Sequence, residues 1–342
     1  MPQIDVLQSI LERARKTQKT IALPESTDPR TLCAARQIID RKIGRVVLVG
    51  DKNKIHAEAH SLHVDLDDIQ ICDPLTEETL CTNAEMFFDL RKHKGISEND
   101  AEQQVCDPLY AAALMLQRGE VDATVAGAVH PTPDVLRPLF QIVGPRPGLS
   151  LASSCFVMIT KQKHMGHHGA FIYADAGVNP NPTPEQLADI AISSADSCEA
   201  YFQVEPRIAM LSFSTMGSAS HPDVDKVREA TEIACEKRPD LLIEGELQAD
   251  AALVPEVAEM KCDNSHLRGR ANTLIFPDLD AGNIAYKLTQ RLCNAGAYGP
   301  LLQGLAKVGM DLSRGATIDD VTNVCATAAV LAEHMQNQNA GA

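Results

Sequence analysis

Residues 311–320 combine a hydroxyl, a guanidinium and a carboxylate within one short stretch of the chain. The stretch reads Asp-Leu-Ser-Arg-Gly-Ala-Thr-Ile-Asp-Asp and comes just before a helical pattern. Ser313 and Arg314 could hold an anion and neutralise a growing negative charge, and Asp320 could take a proton. A loop entering a helix N-terminus also favours anions, because free N–H groups point out of it.

The same residues also fit a purely structural role. Thr317, followed three residues later by Asp320, is typical of a capping box, in which each side chain accepts a hydrogen bond from the other residue's backbone N–H. In that role Asp320 satisfies a backbone donor and offsets the helix dipole. Spacing alone therefore leaves both interpretations of Asp320 open.

A second polar segment, residues 212–220, follows a predicted strand and precedes a helical pattern. It reads Ser-Phe-Ser-Thr-Met-Gly-Ser-Ala-Ser, and hydroxyls such as those of Ser214 and Thr215 beside a glycine could wrap a phosphate. The glycine spacing matches neither of the common nucleotide-binding motifs. The structural alternative is a polar loop in which Ser220 caps the next helix.

Two basic segments are further candidates in an acidic chain. Arg137 lies in the segment 127–138, which follows the end of a predicted strand, and it precedes a proline, which favours an extended backbone there. A surface arginine with a buried aliphatic stem is the structural alternative. Arg91 opens the run Arg-Lys-His-Lys-Gly, which would equally suit a solvated helix end. Residues 161–169 contain three histidines but no carboxylate or cysteine, so we predict a hairpin tip there and no metal site.

Composition limits the class of protein. The chain has 342 residues and a formal net charge of −15, so we expect about two domains and neither a nucleic-acid nor an anionic-membrane partner. The longest apolar runs fall far short of the ~20 residues that span a bilayer. Residues 1–20 look like a charged amphipathic helix rather than a signal peptide. Ten scattered cysteines without zinc-type spacing indicate a reduced, cytoplasmic protein.

Strand and helix patterns alternate along the chain. Strands are predicted at residues 20–23, 45–49, 121–126, 151–160, 170–174, 207–213, 241–243 and 273–276. Helices are predicted from the Asp28-Pro29 cap to residue 39, at 101–116, 184–198 and 224–237, and from Asp320 onward. The alternation indicates an α/β protein with mostly parallel sheets, and Gly-Pro-Arg-Pro-Gly at 144–148 is the best linker signal.

At these motifs the chain resembles the phosphate acetyltransferase (phosphotransacetylase) family. The matching segments are 127–130 with Arg137-Pro138, 179–183 with 185–188, 205–212, 229–231, 237–241, 245–248 with 250–252, 275–279 with 282–283, 298–300 and 311–315. The resemblance covers essentially the whole chain. The chain departs from the family pattern at Val308 and Met310, where proline and asparagine are usual. It also departs at Pro131 and Pro133 beside His130, and at His266, where proline is common.

The resemblance implies a reversible exchange of the acetyl group between CoA and phosphate, with CoA as a substrate and no cofactor or metal. It also implies a homodimer built from two α/β/α domains of the isocitrate/isopropylmalate dehydrogenase-like architecture, with the active site in the interdomain cleft. Domain I would comprise residues 1–147 plus 305–342, and domain II residues 148–304.

The resemblance assigns roles to individual residues. Asp320 matches the base that takes the proton of the CoA thiol, and Ser313 and Arg314 match the pair that orients substrate and stabilises the transition state. The residues expected to bind CoA, acyl phosphate or phosphate are Arg137, Arg91, Ser214, Thr215 and Asn283. A metal- and NAD-dependent hydroxyacid dehydrogenase and a non-catalytic binding protein are the alternatives.

Overall fold

The computed structural model describes residues 6–341. The chain divides into two compact units, one formed by residues 7–146 with 305–341 and the other by residues 147–304. Each unit is built around one β-sheet flanked by helices. The two units are α/β, and parallel strand pairs predominate, in agreement with the fold class expected from the sequence.

The sheet of the first unit is entirely parallel, in the order β11-β4-β1-β2-β3. Its strands are β1 (Thr20–Leu23), β2 (Arg45–Val49), β3 (Gln70–Cys72), β4 (Ala123–Ala126) and β11 (Val308–Asp311). Its helices are α1 (Val6–Thr17), α2 (Pro29–Asp40), α3 (Lys52–Leu62), α4 (Glu77–Arg91), α5 (Glu98–Gln104), α6 (Pro108–Arg118), α7 (Thr132–Pro138) and α13 (Ile318–Gly341). The predicted strands 20–23 and 45–49 are confirmed.

Local sequence explains where these helices begin. The Asp28 side chain accepts a hydrogen bond from the Arg30 N–H, and Pro29 occupies the first helical position of α2, as predicted. The single helix predicted at 101–116 is wrong, because Asp107 caps a new helix and Pro108 begins it. Proline has no N–H to continue the preceding helix, so α5 and α6 are separate.

The C-terminal strand and helix complete this unit. β11 pairs with β4, and α13 packs against α2, β4 and β11. Met310 is fully buried in β11 opposite Val125. Val308 is buried as well, so these two departures from the family pattern are apolar side chains packed within the sheet. The predicted N-terminal helix is confirmed from Val6 to Thr17, and residues 1–5 lie outside the described part.

The sheet of the second unit is mixed, in the order β10-β5-β6-β9-β7-β8. Its strands are β5 (Ser153–Ile159), β6 (Ala170–Ala174), β7 (Arg207–Leu211), β8 (Leu242–Leu247), β9 (Thr273–Ile275) and β10 (Gly296–Gln303). Its helices are α8 (Pro184–Phe202), α9 (Pro222–Lys237), α10 (Ala249–Leu253), α11 (Pro255–Lys261) and α12 (Leu279–Leu292). β5 and β6 are antiparallel neighbours, so the hairpin predicted at 161–169 is confirmed.

Each sheet gathers several polar loops at one edge. In the first unit β4 and β11 are parallel neighbours, and in the second β6, β9, β7 and β8 all run parallel. Ligands of open α/β sheets bind outside the carboxyl ends of such strands. Across residues 6–341, the model contains no helix with the length and apolar character needed to cross a bilayer.

Candidate active site

Ser313 and Arg314 lie in the turn that joins β11 to α13, and both side chains are exposed. The turn is held by two internal contacts: the Ala316 N–H donates to the Ser313 carbonyl, and the Gly315 N–H donates to Ser313 Oγ at 3.3 Å. Among the described residues the Arg314 guanidinium has no carboxylate partner. An exposed, unpaired arginine beside a hydroxyl is available to bind an anion.

The capping box predicted from the spacing of Thr317 and Asp320 is confirmed. The Thr317 N–H donates to Asp320 Oδ2 at 2.9 Å, and the Asp320 N–H donates to Thr317 Oγ1 at 3.2 Å. The Thr317 hydroxyl also donates to Asp320 Oδ2, at 2.8 Å. Asp320 is exposed, so a carboxylate already used as a helix cap still has an open oxygen facing solvent.

Arg30, on α2, ties the Ser313–Arg314 turn to the turn that follows β4. Its Nη1 donates to the carbonyls of Arg314 and Ala316, at 2.7 and 3.0 Å. Its Nη2 donates to the Ala128 carbonyl at 2.6 Å, and its remaining N–H groups engage Asp28. All five donors of the guanidinium are therefore used. The hydrogen bond with the Asp28 carboxylate raises the pKa of Arg30.

The turn after β4 is organised by one buried carboxylate. Glu25 Oε2 accepts the N–H groups of Gly127 and Ala128, and its Oε1 accepts those of Val129 and His130, at 2.7 to 3.0 Å. The His130 ring also contacts Oε1 at 2.8 Å. Four converging backbone donors are what a buried carboxylate needs. Glu25 therefore fixes the conformation of this turn.

Asp311 ends β11 directly beside the same turn and is 1% exposed. Its Oδ2 accepts a hydrogen bond from Thr132 Oγ1 at 2.6 Å, whereas Oδ1 has no hydrogen-bond partner within the described part of the chain. Burial, together with the negative charge of Glu25, raises the pKa of Asp311 to about 6 against the Thr132 hydrogen bond. A side chain at position 127 would collide with Oδ1, so Gly127 allows this close approach.

Arg91 and Arg137 both act on the pKa of Tyr110 through their charges. Arg91 ends α4, and Arg137 lies near the end of α7, exposed and 3.3 Å from Asp134. Burial raises the pKa of Tyr110, and the positive charges of Arg137 and Arg91 partly oppose that rise. The two arginines predicted to bind anions therefore both lie within electrostatic range of Tyr110.

In the second unit, Ser214 and Thr215 lie in the loop after β7, but both side chains are buried. Ser214 Oγ donates to Glu246 Oε1 at 2.8 Å and accepts the Ala219 N–H. Thr215 Oγ1 accepts the Gln248 N–H at 3.0 Å. These hydroxyls hold the loop from inside and leave its exposed surface to Met216, Gly217 and Ser218.

Glu246 is the buried support of this loop. Its Oε1 also accepts the Gly217 N–H at 2.8 Å, and its Oε2 lies 3.4 Å from Arg228 Nε. Burial favours a higher pKa for Glu246, but hydrogen bonds from Gly217, Ser214 and Arg228 outweigh it and the pKa is lowered. The alternative in which Ser220 caps the next helix is wrong, because His221 caps α9 through the Asp223 N–H.

Asn283 lies in the first turns of α12 and donates to the Ala176 carbonyl at 3.1 Å. That carbonyl belongs to the loop after β6, which is built around the buried Asp175. The Asp175 carboxylate accepts the N–H groups of Gly177, Val178 and Asn179. Asn283 thus joins α12 to a loop at the same sheet edge as Ser214 and Thr215.

Sequence reasoning missed the residues that hold these loops. Glu25 and Arg30 belong to a polar run that follows β1 directly, and that position was the available signal. Asp311 and Glu246 lie within motifs singled out above, but neither received a role. Spacing does not reveal which carboxylate of a motif is turned inward.

The chain is similar in sequence to one family of acyltransferases. The family model described as Phosphate acetyl/butaryl transferase matches residues 5–329. The phosphate acetyltransferase of Thermoanaerobacterium thermosaccharolyticum is 48% identical over 330 residues, covering 96% of this chain and 100% of the relative.

Two solved structures of phosphotransacetylases are similar to this chain in both fold and sequence. A phosphotransacetylase from Streptococcus pyogenes has a TM-score of 0.90 and 37% identity over 95% of this chain and 98% of its own. The EutD phosphotransacetylase from Staphylococcus aureus has a TM-score of 0.88 and 37% identity over 96% of this chain and 98% of its own. The chain belongs to the phosphate acetyl/butaryl transferase family.

Proposed function

We propose that this chain is a phosphate acetyltransferase, which converts acetyl-CoA and phosphate reversibly into acetyl phosphate and CoA. The observation that carries the proposal is its 48% identity to phosphate acetyltransferases over their whole length. The exposed Ser313–Arg314 turn at the carboxyl edge of a parallel sheet supports it.

The proposed reaction is direct attack in a ternary complex. Acetyl phosphate and the thioester are both activated carbonyl compounds, so no covalent enzyme intermediate is needed. Arg314 and Ser313 stabilise the carbonyl oxygen as it becomes negative, and Asp320 takes the proton of the CoA thiol. Burial raises the pKa of Cys155 and Cys198 to about 12, so neither supplies a thiolate nucleophile.

Asp320 needs a change of environment to act as the base. A thiol with a pKa near 8.5 and an ordinary aspartate near 3.9 differ by about 4.6 units, or roughly 6 kcal/mol against proton transfer. Bound CoA would shield the exposed carboxylate from water, and a carboxylate removed from water accepts a proton more readily. Arg314 would weaken this base if it contacted Asp320, so we propose that it contacts the phosphate and carbonyl oxygens instead. It makes no ion pair with Asp320 among the described residues.

The substrate anions are proposed to bind at two places. Arg91 and Arg137 bind the phosphate groups of CoA, supported by the effect of both positive charges on the same residue, Tyr110. The loop that contains Ser214 and Thr215, together with Asn283, binds the acyl phosphate or phosphate. Because both hydroxyls face inward, they act by fixing the loop, whose exposed backbone would contact the ligand.

A homodimer is the proposed assembly, supported by an apolar stripe on α12. Ile284, Leu288 and Leu292 follow one another at four-residue spacing and are 56%, 52% and 79% exposed. Such spacing places the three side chains on one face of the helix. A second copy of the chain would cover this face.

We further propose that the enzyme is cytoplasmic and that it requires no cofactor or metal.

One assay tests the proposed activity. The purified chain is mixed with acetyl phosphate and CoA in the presence of EDTA, and acetyl-CoA formation is followed. We expect turnover that EDTA leaves unchanged. Loss of turnover in EDTA would indicate a metal-dependent reaction, NAD-linked oxidation of a hydroxyacid would favour the dehydrogenase alternative, and substrate binding without turnover would favour a binding protein.

A further inference from the structure

The buried carboxyl group of Asp311 has an unusual environment. One oxygen accepts the Thr132 hydroxyl at 2.6 Å, and the other has no donor within residues 6–341. A buried polar oxygen without a partner is unfavourable, and an ionised one more so. An asparagine of the same size would avoid the buried charge, so the fold alone does not account for an aspartate here.

The charged groups around Asp311 do not neutralise it. From the β1–α2 connection, the Glu25 carboxylate raises the pKa of Asp311, while it is itself held by four backbone N–H groups and the His130 ring. From α2, Arg30 directs its donors to Asp28 and to three carbonyls.

On α7, which begins at Thr132, Asp134 pairs with Arg137. Within the described chain, Asp311 therefore has the Thr132 hydroxyl as its hydrogen-bond donor and no cation as a partner. The Thr132 hydroxyl is the side chain that donates to the Asp311 carboxylate, and the Leu312 backbone N–H also opposes the rise in its pKa.

The Asp311–Thr132 hydrogen bond connects two parts of the candidate site. Asp311 is two residues before Ser313 in the β11–α13 turn, and Thr132 begins α7, which carries Arg137. Gly127, in the turn after β4, lies so close to Asp311 that a side chain at position 127 would collide with Oδ1. A substitution at Asp311 would therefore alter the positions of Ser313, Arg314 and Arg137 together.

We propose that Asp311 is a positioning residue of the acetyl-transfer site, and that its ionised carboxylate holds the Ser313–Arg314 turn in register with α7 through Thr132. An ionised carboxylate can only accept hydrogen bonds, so the Thr132 hydroxyl must be the donor and its proton points at Asp311. A protonated carboxyl group could also donate to the Thr132 hydroxyl, so either residue could then be the donor. This inference rests on the proposed roles of Ser313 and Arg314.

A double-mutant cycle tests the connection. Asp311→Asn and Thr132→Val should each lower kcat between about ten-fold and a hundred-fold, as expected of a misplaced catalytic group. The double variant should be no worse than the poorer single variant, because both act through one hydrogen bond. Thr132→Ser keeps the hydroxyl and should restore most of the activity. Losses that multiply in the double variant would overturn the proposal.

The pH profile gives an independent readout. Wild-type kcat/KM should fall towards acid with a midpoint near pH 6, where Asp311 takes up a proton, and Asp311→Asn should lack that limb. His130→Gln, which alters the neighbouring titratable group, should keep it. The proposal is wrong if the limb survives in Asp311→Asn. Unimpaired Ser313→Ala and Arg314→Gln variants would instead show that the roles assigned to the turn are wrong.

Discussion

Asp320 carries two roles that a matched pair of variants can separate. Asp320→Asn keeps an oxygen that accepts the Thr317 N–H but removes the base, so we expect unchanged thermal stability and a fall in kcat of at least about a hundred-fold. Thr317→Ala removes the cap from the other side and should cost about 1 kcal/mol of stability while leaving most of the activity.

Thermal unfolding and acetyl-CoA formation, measured on both variants, give the answer. If Asp320→Asn remains active while Thr317→Ala is unstable, Asp320 is a helix cap and the base must be sought elsewhere.

Asp311 predicts a specific dependence of stability on pH. Its pKa is about 6 in the folded protein against an ordinary 3.8, so the folded state keeps a proton that the unfolded chain loses. The free energy of unfolding therefore falls as pH rises from about 4 to 6, and it does not fall further on this account above pH 6. The difference between the two pKa values corresponds to a loss of about 3 kcal/mol in the free energy of unfolding. Asp311→Asn should gain this amount relative to wild type between pH 4 and 7 in urea denaturation; a constant difference would contradict it.

At the scale of secondary-structure elements, Arg30 connects α2 to two turns, after β4 and after β11. Arg30→Gln should lower kcat at least about ten-fold, because three carbonyls lose their donors and the Ser313–Arg314 turn is released. Arg36→Gln is the matched control, since Arg36 lies on the same helix and pairs with Asp40. Equal steady-state kinetics of the two variants would show that Arg30 has no positioning role.

The sequence predicted the elements with strong local signals and missed those without them. The β-branched run 45–49 and the Asp28-Pro29 cap appear as expected. β10 and β11 were not predicted, because Gly296–Gln303 contains two glycines and a proline and Val308–Asp311 is interrupted by Gly309. Their pairing with β5 and β4 is decided by tertiary contacts, which outweigh local propensity.

The candidate site shows the same division. The motif at 311–320 identified exposed groups that could do chemistry, and the turn presents Ser313 and Arg314 as such. Residue types did not reveal that the Ser214 and Thr215 hydroxyls face inward, since that depends on Glu246 and Gln248 from another strand. The same type of residue can bind a ligand in one protein and hold a loop in another, so the residue type alone does not distinguish the two roles.

At the scale of the whole molecule, the α12 stripe predicts the oligomeric state. Leu288→Glu places a charge in the proposed dimer face and should give a monomer in sedimentation or light-scattering measurements, because burying a charge outweighs the ~1.5–3 kcal/mol gained from a buried leucine. Met260→Glu is the control: Met260 is 83% exposed and lies on α11, away from the α12 stripe in sequence. A dimer that survives Leu288→Glu would place the interface elsewhere.

Direct attack in a ternary complex is the central claim, and isotope exchange tests it most directly. The protein is incubated with acetyl phosphate and radiolabelled phosphate, with and without CoA, and label in acetyl phosphate is counted. Without a covalent acetyl-enzyme, phosphate cannot exchange until CoA is present to accept the acetyl group. We therefore predict rapid exchange with CoA and none without it. Exchange at a comparable rate in the absence of CoA would contradict the mechanism.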